Sequence, residues 1–102
     1  MSEKIVVRID PDIADLVPGF LKNRAADVGL IAGHLADGNL EQVKIIGHSM
    51  KGAGGGYGFD AITDIGARIE TAAGSGDVAA IESAAEELRD YLARVEVQPD
   101  DS

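Results

Sequence analysis

The sequence predicts an all-α protein, folded as an antiparallel four-helix bundle with a short extended N-terminal segment. Apolar residues recur at intervals of three and four in four successive stretches, which places them on one face of a helix. The stretches are joined by short connections that contain glycine. Since each helix must bury its apolar face, and short connections make neighbours antiparallel, a bundle is expected. At 102 residues, the chain is expected to form one domain over residues 1–102.

The first ten residues are predicted to be extended. Ile5, Val7 and Ile9 alternate with other residues, so they share one side of a strand. A single strand is too short to form a sheet alone. We expect it either to pair with the C-terminal stretch 95–97 or to lie on the helices.

The helical period starts after Asp10 and Pro11, and the bundle is predicted over residues 11–97. The first helix is expected to continue to Leu35, with Pro18 compatible only with its first turn or a break. Gly38 can take the left-handed conformation that ends a helix, so the first helix is predicted to end there.

The remaining three helices follow from the same spacing. The second begins at Leu40, the third has Asp60 as its candidate N-cap, and the fourth has Asp77. Residues 98–102 are predicted to be a disordered tail. The predicted buried faces include Leu40, Val43, Gly47, Met50 and Gly54 in the second helix, Ile62, Ile65, Gly66, Ile69, Ala72 and Ala73 in the third, and Val78, Ile81, Ala84, Leu88 and Tyr91 in the fourth.

Composition excludes several classes of function. The chain has 9 basic and 18 acidic residues and a net charge of −9, which disfavours binding to nucleic acid or an anionic membrane. No apolar stretch approaches the roughly 20 residues of a membrane span. The chain has no cysteine, which excludes thiolate catalysis and a disulfide framework, and the N-terminus does not resemble a signal peptide. We expect a cytoplasmic protein.

Acidic residues are absent from residues 42–59, an interval that contains Lys44, His48 and Lys51. The absence can arise by chance in a glycine-rich stretch, or it can mark a site that attracts an anion or an acidic partner. With about 100° per residue, His48 falls on the far side of the second helix from its apolar face. We therefore expect this imidazole to face solvent.

The neighbours of His48 on such a helix are Lys44, Ile45, Lys51 and Gly52, at i−4, i−3, i+3 and i+4. This set fits a phosphoryl group that passes between two proteins. A neutral imidazole is a competent nucleophile near pH 7. The lysines can compensate the charge of the phosphate, Gly52 leaves room for a partner, and Ile45 offers that partner an apolar contact.

Other uses of this segment are less well supported. The glycines at 54–56 either form a loop after a helix that ends near Lys51, or allow something to approach closely. They do not form a nucleotide-binding loop, because G-x-G-x-x-G would require glycine at Tyr57. His34 and His48 have no carboxylates at a suggestive spacing, so we expect no metal site and no cofactor.

The pattern His48-x-x-Lys51-Gly52, with Gly58 ten residues after the histidine, resembles the histidine-containing phosphotransfer (HPt) domain of bacterial phosphorelays. The stretch Ala-Arg-Ile-Glu at 67–70 is similar to the pattern of the same family. The resemblance implies a four-helix bundle whose histidine exchanges phosphate with a receiver-domain aspartate, without binding nucleotide. It implies that His48 is the phosphoacceptor, Lys51 its charge partner and Gly52 the access position.

The predicted function is that of a phosphocarrier in a two-component phosphorelay, and not of an enzyme. Its partners would be a response-regulator receiver domain, a hybrid histidine kinase or both, docked over Lys44, Ile45 and Gly55. The protein is expected to be a monomer. The alternative is an interaction module that docks on the same partners without accepting phosphate, and the intact set of site residues favours the carrier.

Overall fold

The computed structural model describes residues 3–100, and within them the chain forms four α-helices. They are α1 (Val17–Ala36), α2 (Leu40–Gly56), α3 (Asp60–Ser75) and α4 (Val78–Arg94). Each helix packs on the next, and α1 also packs against α4, which closes the bundle. The predicted four-helix bundle is confirmed. Over the described residues, no helix is long and apolar enough to cross a membrane.

The two ends of the bundle's chain pair with each other. Strand β1 (Ile5–Ile9) and strand β2 (Val95–Pro99) form a parallel ribbon, in register from Ile5 beside Val95 to Ile9 beside Pro99. The predicted extended segment is confirmed, and of its two expected positions it takes the paired one. Ile9 is buried, so the ribbon also contributes to the core.

The predicted C-terminal boundary is wrong. The helical part ends at Arg94, not at residue 97, because the chain turns into β2 there. Gln98 and Pro99 belong to this strand, and the backbone N–H of Asp100 donates to the Ile9 carbonyl at 2.9 Å. These residues are held by pairing with β1, which the helical period does not reveal. The rest of the predicted tail, residues 101–102, lies outside the described residues.

The start of the first helix also differs from the prediction. The chain first forms a 3₁₀-helix over Pro11–Leu16, and α1 begins only at Val17. Pro18 has no backbone N–H to donate and would collide with the preceding turn of an α-helix. It is accommodated in the first turn of α1, as its residue type requires.

Capping side chains begin α2 and α4, and a glycine in the left-handed conformation follows the end of α1. Asn39 and Asp77 accept hydrogen bonds from backbone N–H groups of the first turns of α2 and α4, and Gly38 has a φ of 71°. The prediction that Asp60 caps α3 is wrong. Asp60 is the first residue of that helix, and the N-cap position is taken by Phe59, whose ring is buried.

The core forms along the predicted faces. The buried residues of α2 are Val43, Gly47, Met50 and Gly54, and those of α3 are the six predicted for it. Val78 is the exception in α4: it is exposed at the first turn of the helix. Three aromatic rings form a cluster. The Phe20 ring of α1 stacks on the ring of Tyr57, with centroids 4.3 Å apart, and on the ring of Phe59, with centroids 5.5 Å apart.

Candidate functional site

Helices α2 and α3 approach each other so closely that their backbones touch. A Cβ atom at Gly47 would lie 2.7 Å from the Glu70 backbone nitrogen, and one at Gly54 would lie 2.6 Å from that of Thr63. From the other side, a Cβ at Gly66 would lie 2.5 Å from the Lys51 nitrogen. Three glycines therefore permit this contact, and α2 stays helical as far as Gly56 instead of ending near Lys51.

His48 lies on the surface of α2 beside this contact and, as predicted, faces solvent: its side chain is 71% exposed. Its Nδ1 atom lies 2.7 Å from Oε2 of Glu70 on α3. An ionised carboxylate can only accept a hydrogen bond, so Nδ1 carries the proton and donates it. The other ring nitrogen, Nε2, then holds the free lone pair. The contact thus selects one tautomer and one nucleophilic atom.

The second oxygen of the same carboxylate binds Lys51. The Lys51 Nζ atom donates to Oε1 of Glu70 at 2.9 Å, and the lysine side chain remains 42% exposed. The hydrogen bonds from Lys51 and then from His48 lower the pKa of the Glu70 carboxyl below its usual range. Glu70 is therefore ionised at neutral pH, and one carboxylate bridges an imidazole and an ammonium group.

A further hydrogen bond fixes the backbone that carries these groups. The Thr63 Oγ1 hydroxyl of α3 donates to the Lys51 carbonyl of α2 at 3.0 Å. Because this bond lies beside the close contacts of Gly54 and Gly66, α2 and α3 are held together on both sides of Lys51. The site therefore rests on two rigid helices and not on a loop.

Gly52 has the opposite environment from the glycines that face α3. A Cβ atom built there would meet nothing within 4 Å, and the residue has an ordinary helical conformation. Its missing side chain therefore serves neither packing within the chain nor a left-handed turn. A Cβ at Gly55 would lie 3.6 Å from Thr63 Oγ1, an ordinary contact. The predicted docking residues Lys44 and Ile45 are also exposed, Ile45 by 52%.

The structure thus brings His48 and Lys51 together, with Lys44, Ile45, Gly52 and Gly55 exposed on the same helix. His34 takes no part in the site: it lies in the last turn of α1, where its carbonyl accepts the Asn39 N–H at 2.8 Å. Among residues 3–100 there is no group of three or more histidine, aspartate, glutamate or cysteine side chains that could hold a metal ion.

The residue that sequence reasoning missed is Glu70. The stretch of α2 around His48 lacks acidic residues, but Glu70 of α3 brings a carboxylate next to the imidazole. A signal was present in the hairpin formed by the two helices. Gly47 contacts Glu70 and Gly54 contacts Thr63, and both pairs are centred along the chain on the step between Gly58 and Phe59. The same register brings Glu70 to the level of His48.

Comparison with known proteins supplies the family. A family model described as the Hpt domain matches residues 15–98, which include all four helices. Searches of curated proteins and of solved structures gave no match. With this match over most of its length, the chain belongs to the Hpt domain family, whose members carry phosphoryl groups in two-component signalling by interacting with receiver domains and histidine kinases.

Proposed function

We propose that this protein is a phosphorelay intermediate that accepts a phosphoryl group on Nε2 of His48 from a receiver-domain aspartate and donates it to another. The observation that carries the proposal is the exposed imidazole whose Nδ1 is held by Glu70 at 2.7 Å. A carrier needs a nucleophile that a second protein can reach, with its reactive lone pair directed away from its own fold. His48 meets both requirements.

The geometry accounts for the charges of the reaction. The P–O bond to the receiver's aspartate breaks and an N–P bond to Nε2 forms. The receiver recovers an aspartate carboxylate, and the ring keeps its Nδ1 proton, so it becomes a phosphoimidazolium with a positive charge. Glu70 accepts the hydrogen bond from Nδ1 and therefore stabilises that charge as it develops. The reverse transfer uses the same contact.

The surroundings of His48 support approach by a protein. Lys51 brings positive charge to the site, Gly52 leaves the helix surface open, and we propose Lys44, Ile45 and Gly55 as docking residues for a receiver domain or a hybrid kinase. Ile45 is a large apolar side chain exposed by 52% beside the imidazole, as expected of a residue that a partner covers. The carrier is proposed to be a cytoplasmic monomer with one domain.

The proposal is tested by incubating the protein with a panel of phosphorylated receiver domains and mapping acid-labile phosphate on it. We expect uptake by the natural protein, none by His48→Gln, and normal uptake by the matched control His34→Gln. Both variants should keep the natural helicity and melting temperature, since neither side chain is buried. Labelled His48→Gln protein would contradict the proposal. Receiver binding without any transfer would favour the interaction module instead.

We further propose that the protein does not phosphorylate itself. It has no glycine loop of the nucleotide-binding type, and the His48 side chain is 71% exposed on the surface of α2. Highly purified protein should neither bind ATP measurably nor become labelled by it. Self-labelling at His48 would indicate an enzyme and not a carrier.

A further inference from the structure

The two lysines on the exposed face of α2 differ in their partners. The Lys51 ammonium is bound to Glu70 at 2.9 Å. Lys44 is exposed, and its side chain forms no hydrogen bond or ion pair with any residue that the structure describes. Even Glu41, three residues earlier on the same helix, does not pair with it. One cation is therefore engaged within the site and the other is free.

We propose that Lys51 acts on His48 through Glu70, as a positioning residue, and that Lys44 is the cation that meets the phosphoryl group. This inference rests on the proposed function and changes the role that the sequence suggested for Lys51. It follows from the position of each charge relative to the two nitrogens of the imidazole.

The Glu70 carboxylate connects Lys51 to the imidazole of His48. Its Oε2 atom holds Nδ1 of His48 while its Oε1 atom holds Nζ of Lys51, so the lysine fixes the plane of the carboxylate that orients the ring. Without Lys51, the carboxylate can rotate away from Nδ1. Its negative charge would also face the incoming phosphoryl dianion without compensation, which slows the approach of a like charge.

The two ring nitrogens of His48 have different surroundings. Glu70 and Lys51 lie at the Nδ1 side, whereas the phosphoryl group bonds to Nε2, at the other side of the ring. Helical side chains lean toward the N-terminus, so we expect the His48 side chain to lean toward the turn that carries Lys44 and Ile45. A long, unpaired lysine on that turn can follow the phosphate without breaking a contact within the fold.

A double-mutant cycle separates the two roles. The measured quantity is the rate of phosphate uptake from one phosphorylated receiver domain. We expect Lys51→Ala to lower this rate about tenfold in the natural protein, but less than about twofold in a Glu70→Gln background, since the residue acts through Glu70. Lys44→Ala should lower the rate by the same factor in both backgrounds. Lys51→Arg, which keeps a donor for the carboxylate, should restore most of the rate.

A second measurement needs no phosphate. The ¹⁵N chemical shifts of the His48 ring report which nitrogen carries the proton in the neutral form. We expect the Nδ1–H tautomer in the natural protein and in Lys44→Ala, and a mixture of tautomers in Lys51→Ala. His34 in the same spectra is the internal control, because its environment does not change.

An equal loss of rate from Lys51→Ala with and without Glu70 would overturn the proposal, and so would an unchanged tautomer in that variant. A full natural rate in Lys44→Ala would overturn the role proposed for Lys44. If the natural protein took up no phosphate at all, the proposed function would fail, while the tautomer measurement would still decide the Lys51–Glu70 arrangement.

Discussion

The two faces of α2 contain the same residue type in opposite environments. On the face toward α3, Gly47 and Gly54 have no space for a Cβ atom, because backbone atoms lie within 3.0 Å of its position. On the face toward solvent, a Cβ at Gly52 would meet nothing. Glycine within a helix costs about 1 kcal/mol relative to alanine. Close packing offsets that cost on the first face, whereas no contact within the chain offsets it at Gly52.

This difference indicates that the two sets of glycines serve two purposes. The buried set brings α3 close enough for Glu70 and Thr63 to reach the His48–Lys51 segment. The exposed Gly52 leaves space beside His48, where another protein must approach to exchange phosphate. Helix α3 therefore positions the imidazole through Glu70, while α2 leaves the surface beside it accessible.

The largest expected effect comes from adding one methyl group between α2 and α3, at Gly66 on α3. Gly66→Ala places a Cβ atom 2.5 Å from the Lys51 backbone nitrogen, so α2 and α3 must separate. We expect a loss of about 3 kcal/mol in the free energy of unfolding, at the upper end for overpacked cores. For a domain of this size that loss lowers Tm by roughly 15 °C. Thermal and urea unfolding measure it.

The matched control for that variant is Gly52→Ala, the same substitution in the middle of α2 on the open face. A Gly66→Ala protein as stable as the natural one would show that the helices do not touch through their backbones. The close approach would then lose its role in placing Glu70.

The next effect concerns transfer and not stability. Gly52→Gln introduces a long side chain at i+4 from His48, into space that is empty in the free protein. We expect transfer from a phosphorylated receiver domain to slow at least about tenfold, which corresponds to roughly 1.4 kcal/mol in the barrier. Phosphoramidate, a small donor, needs less room and should be affected less.

Gly74→Gln is the control for Gly52→Gln, because Gly74 is also an exposed helical glycine with open space around it, but on α3. It should transfer normally. An unfolded Gly52→Gln protein would mean that the glycine serves packing after all. A folded variant with normal transfer would direct attention to Lys44 and Ile45 as the approach side.

A smaller effect is expected from Gly52→Ala on stability alone. Alanine favours the helix by about 1 kcal/mol and meets no atom there, so the free energy of unfolding should rise by about that amount. Replacement of glycine by alanine is thus expected to stabilise the protein at the exposed Gly52 and to destabilise it at Gly66, where α2 and α3 touch. A decrease in stability at Gly52 would remove the distinction between the faces.

The smallest effect is the pH dependence that Glu70 contributes. Its pKa is lowered in the folded protein, so its contribution to stability is present above its unfolded pKa of about 4.3 and is lost as the pH falls through the folded value. The natural protein and Glu70→Gln should therefore differ in unfolding free energy at pH 7, and the difference should disappear as the pH falls below the lowered pKa of Glu70 in the folded protein. A difference independent of pH would mean that the carboxylate's charge is not what Lys51 and His48 bind.

The sequence predicted those parts of the molecule that depend on one helix at a time. The buried face of α3 and the exposed position of His48 follow from the spacing of apolar residues, because a helix has a fixed angle per residue. The continuity of α2 through Gly54 did not follow from the sequence, because several glycines close together favour a loop. Here the close packing of α3 against Gly47 and Gly54 stabilises the helix instead. This contact between α2 and α3 is tertiary, so the spacing of residues within α2 does not reveal it.

Contacts between distant parts of the chain were the other limit. Glu70 reaches His48 across 22 residues of sequence, and β1 pairs with β2 from opposite ends of the chain. No local period encodes either contact. The His48–Lys51–Gly52 pattern therefore located the site but not the carboxylate that orients the imidazole.

The most direct test of the account is to find which nitrogen atom bears the phosphate. After transfer from a phosphorylated receiver domain, ¹⁵N and ³¹P NMR of the ¹⁵N-histidine-labelled protein identify the phosphorylated ring nitrogen. We predict phosphorus on Nε2 of His48, with the Nδ1 proton retained and still donated to Glu70. Phosphorus on Nδ1 of His48, or on either nitrogen of His34, would contradict it.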